Sequence, residues 1–317
     1  MYGIMPDCSL ELPESYFGLE DYQKGVARWC PGCGDHAVLS AVQRLCREKQ
    51  LPPEKTVFVS GIGCSSRFPH YMGTYGFHGL HGRAFPVASG IKFRRPDLNV
   101  FVVTGDGDCC SIGAGHWVHG VRYNMDITVL LFDNEIYGMT KKQTSPTSPL
   151  GTITNTHPTG SVLPPVDILQ TTLGLANLSF VAQTTDWVPG HLYSTIKKAF
   201  EHPGFAFVKI MMRCPKFMKD LVDEHTSSRD RYCLLDHDEG IEIDEGTNQV
   251  FEHKVTHDPT NIHQARELLE NNAHWYLGLF YQNKKAIRYD VYGSQNLGLS
   301  AEEKLAALEK EMDKFAI

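Results

Sequence analysis

The sequence predicts an α/β fold: a mainly parallel sheet flanked by helices, with an N-terminal arm and a C-terminal helical tail. Three observations predict it. The runs Thr56–Ser60, Asn99–Val103, Ile127–Phe132 and Ala206–Met211 are short, rich in β-branched residues and almost continuously apolar, as strands buried on both faces are. Segments of helical length separate them, such as Cys110–Met125, giving the alternating order of a parallel sheet. Each run leads into a turn that carries a carboxylate, an amide or a thiol. These groups therefore gather at the C-terminal edge of the sheet, where open α/β sheets bind ligands.

Size and composition narrow the class. The chain has 317 residues, 42% hydrophobic and 21% charged, enough for one large domain plus an appendage. We expect an arm over residues 1–24, a main domain over 25–235 and an extension over 236–317. The net charge of −7 and the lack of a basic block argue against a nucleic-acid partner. No apolar run approaches membrane-spanning length and no signal-peptide pattern opens the chain, so a cytoplasmic location is expected. Nine cysteines in a chain this large read better as metal ligands and packed residues than as disulfides.

In chain order, residues 1–24 form a Pro-punctuated arm containing Cys8, read as a small packed residue. Trp29–Gly34 is a tight loop whose Cys30 and Cys33 can converge on one metal centre. Zinc, a redox dithiol and an iron–sulfur cluster all fit that pair. Asp35 is placed to cap a helix running to about Arg47, with Val38, Leu39, Val42 and Leu45 on one face and Cys46 in its core. The strand Thr56–Ser60 ends at Gly61-Ile62-Gly63-Cys64-Ser65, which puts a third thiol on the sheet edge. Cys214, after Ala206–Met211 and before Pro215, is the candidate fourth. Cys109 and Cys110 lie beside a Gly-Asp turn, and Cys233 falls in the tail. Arg67–Arg83 is Gly-rich and cationic, with His70, His78 and His81, suited to an anionic ligand. His116 and His119 read as helix packing. Lys141–Pro165 is a long Thr/Ser/Pro/Gly loop of the kind that forms lids. Helices are expected at Pro165–Leu175, His191–Phe200, His263–Tyr281 and Ala301–Phe315, and a short strand at Phe180–Ala182. The acidic run Asp236–Glu245 reads as a solvated linker.

Two strand ends suggest a metal-held diphosphate. Thr104-Gly105-Asp106-Gly107-Asp108 closes one strand, and Asp133-Asn134-Glu135-Ile136-Tyr137-Gly138-Met139 closes the next. Asp106 offers a carboxylate, Asn134 an amide oxygen and Ile136 a backbone carbonyl, the oxygen donors that Mg²⁺ takes. Gly105 and Gly107 allow close approach to phosphate oxygens, with a helix N-terminus following.

These words together resemble the β subunit of the 2-oxoacid:ferredoxin oxidoreductases. Gly-Asp-Gly followed by Asn after one helix and one strand is similar to the thiamine diphosphate motif. Trp29–Gly34, Gly61–Ser65, Leu80–Ala84 and Ile136–Thr140 add further words, and the likeness runs from about Val26 to Cys214. It implies thiamine diphosphate and Mg²⁺ at Ile62, Gly63, Cys64, Ser65, His81, Gly82, Arg83, Ala84, Gly105–Asp108, Asn134, Ile136, Gly138 and Met139. It also implies one [4Fe–4S] cluster on Cys30, Cys33, Cys64 and Cys214. Arg67 stands where members acting on 2-oxoglutarate-like acids carry a cation, so Arg67, His81 and Arg83 are the catalytic candidates. The implied reaction takes 2-oxoglutarate, coenzyme A and ferredoxin to succinyl-CoA, as in the tricarboxylic acid cycle, with pyruvate as an alternative substrate. A zinc-binding structural subunit is the rival from another class. The chain carries no second, pyrimidine-binding α/β unit, so an α (or fused γα) partner subunit is expected.

Overall fold

The computed structural model describes residues 16–271, 273–295 and 300–315. The expectations for Cys8 and most of the arm lie outside these residues.

Its centre is a nine-stranded sheet. The strands are β1 (Thr56–Ser60), β2 (Tyr75–His78), β3 (Asn99–Gly105), β4 (Ile127–Asp133), β7 (Phe180–Thr185), β8 (Phe205–Met211), β9 (Tyr232–Leu235), β10 (His253–Val255) and β11 (Trp275–Gln282). A separate two-stranded ribbon pairs β5 (Ile136–Tyr137) with β6 (Gln143–Thr144). The sheet order is β10-β9-β11-β7-β8-β4-β3-β1-β2. Every neighbour pair is parallel except β11 with β7. The four runs read as strands are therefore strands, and β1, β3, β4 and β8 all end on one edge.

The pleat sends alternate residues into two cores. Phe58, Phe101, Phe132 and Ile210 pack on one face beneath α1 (Asp35–Glu48) and α5 (Pro189–Phe200). Val59, Val102, Val129 and Phe207 pack on the other beneath α2 (Ala84–Arg94), α3 (Ala114–Tyr123), α4 (Ile168–Leu173) and α8 (Ile262–Glu270). The remaining helices are α6 (Lys219–Ser227), α7 (Glu245–Val250), α9 (Tyr289–Gln295) and α10 (Ala301–Asp313). The segment between β3 and β4 divides into a π-helical turn, Asp108–Ile112, and then α3.

The tail differs from expectation. The stretch 263–281 holds α8 and then a strand, not one long helix. Trp275-Tyr276-Leu277-Gly278-Leu279-Phe280-Tyr281 is an aromatic run, and it inserts between β9 and β7 with Leu277, Leu279 and Phe280 fully buried. Gly278 sits at φ +132°, and a Cβ there would lie 2.8 Å from Leu235 Cβ, so only glycine lets the two strands approach. Cys233, read as a tail residue, is buried on β9 in the same sheet.

Candidate active site

The ends of β1, β3 and β4 enclose a crevice of about 120 Å³. It is lined by Ile62, Gly63, Cys64 and Ser65 from the first strand end, Gly105–Asp108 from the second, and Asn134, Ile136, Gly138 and Met139 from the third, with His81. Thus 13 of the residues expected around a diphosphate meet in one place. Phe132, Tyr137 and Thr140 line it as well. The Tyr137 hydroxyl donates to Gly107 O at 3.0 Å, and a Cβ on Gly107 would lie 2.2 Å from the Tyr137 ring. The close turn therefore depends on glycine.

Asp108 is the keystone of the crevice rim. Its Oδ1 accepts from the Ile62 N–H at 3.0 Å, the Gly82 N–H at 2.8 Å and His81 Nδ1 at 2.5 Å. Its Oδ2 accepts from Thr104 Oγ1 at 2.8 Å. With both oxygens engaged and the side chain buried, Asp108 ties three loops together. His81 thereby keeps its Nδ1 on Asp108, which leaves Nε2 as the ring's other proton site. Gly82, Arg83 and Ala84 stand behind the wall: Gly82 is held by Asp108, Ala84 opens α2, and the Arg83 guanidinium reaches the carbonyls of Gly82 and Ile112.

Asp106 is buried, and Thr147 Oγ1 lies 2.8 Å from its Oδ2 and 2.8 Å from Asp133 Oδ1. Thr147 has one hydroxyl proton and cannot donate to both carboxylates at once. Burial, then repulsion from Asp133, pushes Asp106 up to about 7. Lys209 Nζ neutralises Asp133 at 3.1 Å. Asn134 accepts from the Ile136 N–H at 3.2 Å, which shapes the loop around its amide oxygen. Glu135 adopts a left-handed φ of +58°, and burial followed by Asp133 pushes it up to about 8. The 143–148 segment closes over this loop through Thr147, the β5–β6 ribbon and a Ser148 hydroxyl bond to Glu135 O. Sequence reasoning placed a loop here but missed Thr147, Asp133 and Lys209. The only local signal was the hydroxyl-rich run Thr144-Ser145-Pro146-Thr147-Ser148.

The cysteine set assembles from three segments. Cys33 N–H bonds Cys30 O, and Gly34 N–H bonds Arg213 O at 3.3 Å, which docks the first loop beside Cys214. Trp29 Nε1 donates to Cys64 O at 2.7 Å. A Cβ on Gly138 would lie 3.7 Å from Cys64 Sγ and 3.9 Å from Cys214 Sγ, so both sulfurs face the back of the crevice wall. Burial pushes the Cys64 thiol up to about 12, with Asp35, Cys214 and Cys30 adding to it. Cys33 and Cys214 are also raised, by burial first. Asp35 does not cap α1 as expected. It is buried at the first turn against Cys33 and pushed up to about 7 by burial. Among the described residues, no three His, Cys, Asp or Glu side chains close on a point as a single metal ion needs.

Arg67 lies outside the crevice, with its Nε on the Tyr71 hydroxyl at 3.0 Å. His70, His78 and His119 are exposed: His78 bonds Ser66 O at 2.7 Å with its ring tilted against His70, and the His119 ring lies against Tyr123.

Residues 61–210 match the model of the C-terminal, thiamine pyrophosphate-binding domain of thiamine pyrophosphate enzymes. The 2-oxoglutarate oxidoreductase subunit KorB of Mycobacterium tuberculosis is 36% identical over 92% of this chain and 86% of its own length. The chain belongs to the β subunits of the 2-oxoacid:ferredoxin oxidoreductases. A further β subunit, 2-oxoacid:ferredoxin oxidoreductase 2 of Aeropyrum pernix, is 37% identical over 83% of each chain. A solved 2-oxoglutarate:ferredoxin oxidoreductase of Magnetococcus marinus, with 2-oxoglutarate, coenzyme A and succinyl-CoA bound, superposes with a TM-score of 0.78. The identity is 36%, over 92% of this chain and 96% of that one. This β subunit thus carries the thiamine diphosphate-binding unit of an oxidoreductase, and its crevice lies within the matched domain.

Proposed function

We propose that this β subunit, with an α partner, converts 2-oxoglutarate and coenzyme A to succinyl-CoA and CO₂, reversibly, while reducing ferredoxin. The observation that carries the reading is Cys64: it lines the crevice, and its sulfur and that of Cys214 both lie within 4 Å of where a Gly138 Cβ would stand. One residue thereby joins a carbon-chemistry site to a set of thiols.

The residues suit the groups assigned to them. Asp106, Asn134 and the Ile136 carbonyl are oxygen donors for Mg²⁺, and Asp106 has no cationic partner of its own among the described residues. Four thiols drawn from Cys30, Cys33, Cys64 and Cys214 supply the number a [4Fe–4S] cluster needs, more widely spread than at a mononuclear zinc site. Burial raises the Cys33, Cys64 and Cys214 thiols, a cost that iron would offset by holding them as thiolates. When bound, thiamine diphosphate supplies an electron sink for cleaving the bond beside a carbonyl, and the cluster supplies one-electron transfer. The chain's own part is positional. The Gly105–Gly107 backbone receives the diphosphate. Asp108 fixes His81 and the two flanking loops. Thr147 seats Asp106 and closes the lid segment over it.

A crevice of about 120 Å³ is small beside the ~300–1,000 Å³ of ordinary small-molecule sites. It suits the diphosphate end, and the remainder of the cofactor would project toward the partner subunit. We therefore assign the pyrimidine-side machinery to the α chain. Arg67, one helical turn beyond Cys64, is assigned to the distal carboxylate of the substrate, and the two relatives named for 2-oxoglutarate support that choice. The test is anaerobic co-purification with the partner, followed by viologen reduction across a panel of 2-oxo acids. Arg67→Ala should raise KM for 2-oxoglutarate at least about tenfold more than KM for pyruvate. Equal losses on both would overturn the substrate assignment. Zinc in place of iron and sulfide would overturn the redox reading.

A further inference from the structure

The end of β4 divides its residues between two sides. Phe132, Asn134 and Ile136 line the diphosphate crevice, while Asp133 and Glu135 line a second cavity behind that wall. The alternation of the pleat thus carries past the end of the strand. This cavity holds about 330 Å³, inside the ~300–1,000 Å³ of ordinary small-molecule sites. Val166, Leu169, Leu268 and Trp275 give it apolar walls, and the sheet supplies the polar residues Asp133, Gln183 and Lys209.

Most of its polar groups are already matched. Lys209 Nζ pairs with Asp133 Oδ2 at 3.1 Å and donates to Gln183 Oε1 at 2.9 Å, and Gln183 Nε2 donates to Tyr276 O at 2.7 Å. Asp167, also on the lining, accepts from the Gln170 N–H at the start of α4. Glu135 is the exception. Among the described residues its carboxylate makes no hydrogen bond or ion pair, and its Oε2 is buried. Its backbone holds the left-handed φ of +58°, which favours glycine. A buried carboxylate without a donor is costly, and a ligand that brings one removes the cost.

The charges around the cavity indicate what that ligand is. Asp133 and Lys209 cancel, which leaves Glu135 and Asp167 without a cation. On the neighbouring segment Glu224 and Arg231 pair with each other, Arg231 lies over the Trp275 ring, and the His225 ring meets Trp275 edge-on. The balance is negative, so it favours a cation, and the walls favour an apolar body.

We infer that the cavity behind the 133–136 loop is a binding site for a small primary amine. The ammonium group meets Glu135, and the hydrocarbon part lies against Leu169, Leu268 and Trp275. Such a ligand touches the loop that carries Asn134 and Ile136 from the side away from the crevice, so it is neither substrate nor thiamine cofactor. The inference stands apart from the function proposed above.

The test uses the complete αβ enzyme at about pH 8.5, above the value to which burial pushes Glu135. Isopentylamine is the probe, isopentyl alcohol is its neutral match, and ligand-observed NMR gives each Kd. The amine should bind at least about tenfold more tightly than the alcohol, and neither 2-oxoglutarate nor thiamine diphosphate should displace it. Glu135→Gln keeps the side chain's shape and should raise the amine Kd at least about tenfold while leaving the alcohol's unchanged. Val166→Trp, at a partly exposed wall residue outside the loop, narrows the cavity and should weaken both. Asp97→Asn, before β3 at the opposite edge of the sheet, should change neither. Equal affinity for amine and alcohol would overturn the ammonium assignment. An amine Kd unmoved by either Glu135→Gln or Val166→Trp in the folded enzyme, or displacement of the amine by thiamine diphosphate, would overturn the site.

Discussion

Asp108 offers the sharpest test of how the crevice is held together. Its Oδ1 receives three donors: the Ile62 N–H, the Gly82 N–H and His81 Nδ1. Asp108→Asn keeps shape and volume, and the new amide can present its oxygen to those donors and its NH₂ to Thr104 Oγ1. What it loses is charge. A hydrogen bond to an ionised group contributes about 1.5–3 kcal/mol and a neutral one about 1, so each donor loses roughly 1 kcal/mol. Three donors then lose about 3 kcal/mol, which is on the order of 100-fold in a local opening equilibrium. Hydrogen exchange followed by mass spectrometry or NMR on the αβ complex reads this directly. The Ile62 and Gly82 amides should exchange about 10- to 100-fold faster, while amides in β3 and β4 keep their protection. The same loosening should weaken thiamine diphosphate binding by about tenfold, because both loops frame the crevice. Unchanged exchange at Ile62 and Gly82 would refute the latch, whatever happened to activity.

Other outcomes follow from the buried acids and histidines. Asp106 stands near 7 before a cation arrives, so Mg²⁺ must displace its proton. Metal affinity measured by titration should therefore rise about tenfold per unit as pH climbs toward 7 and level off above it. Thr147→Val should leave Asp106 and Asp133 facing each other without their shared hydroxyl, making the metal-free protein less stable by about 1–3 kcal/mol in chemical denaturation. Mg²⁺ should recover part of that loss. His191 is fully buried on Thr184, and burial lowers it to about 4 from its ordinary 6.5. A depressed imidazole contributes stability above about pH 6.5 and loses it as pH falls toward 4. The 2.5-unit gap is worth roughly 3 kcal/mol. Asp35 and Asp106, raised by burial, act in the opposite sense over that range. The effect is therefore read as the difference between wild type and His191→Gln, which should narrow by roughly 3 kcal/mol between pH 7 and 4.

Much of this protein is written in local signals. Continuous β-branched runs identify β1, β3, β4 and β8 because a strand buried on both faces has no polar side to show. Their turns place Gly61–Ser65, Gly105–Asp108 and Asn134–Gly138 on one edge because parallel strands all end the same way. Crevice-lining residues were legible for that reason. The aromatic stretch Trp275–Tyr281 was not, since a short apolar run beside a helix has no period that separates strand from helix. Its insertion between β9 and β7, parallel to the first and antiparallel to the second, depends on Leu235 and Gly278 meeting, which sequence spacing does not reveal.

The assignment of roles inside the crevice came from three-dimensional packing alone. In the sequence, Asp106 and Asp108 look alike, two carboxylates in one Gly-rich turn. The fold surrounds Asp108 with four donors and leaves Asp106 beside another acid, so one becomes a brace and the other a cation ligand in waiting. Composition and periodicity determined the sheet, its active edge and the supply of thiols. Long-range contacts decided which carboxylate braces the loops and which cysteine meets solvent, because a side chain's surroundings depend on neighbours that lie tens of residues away along the chain.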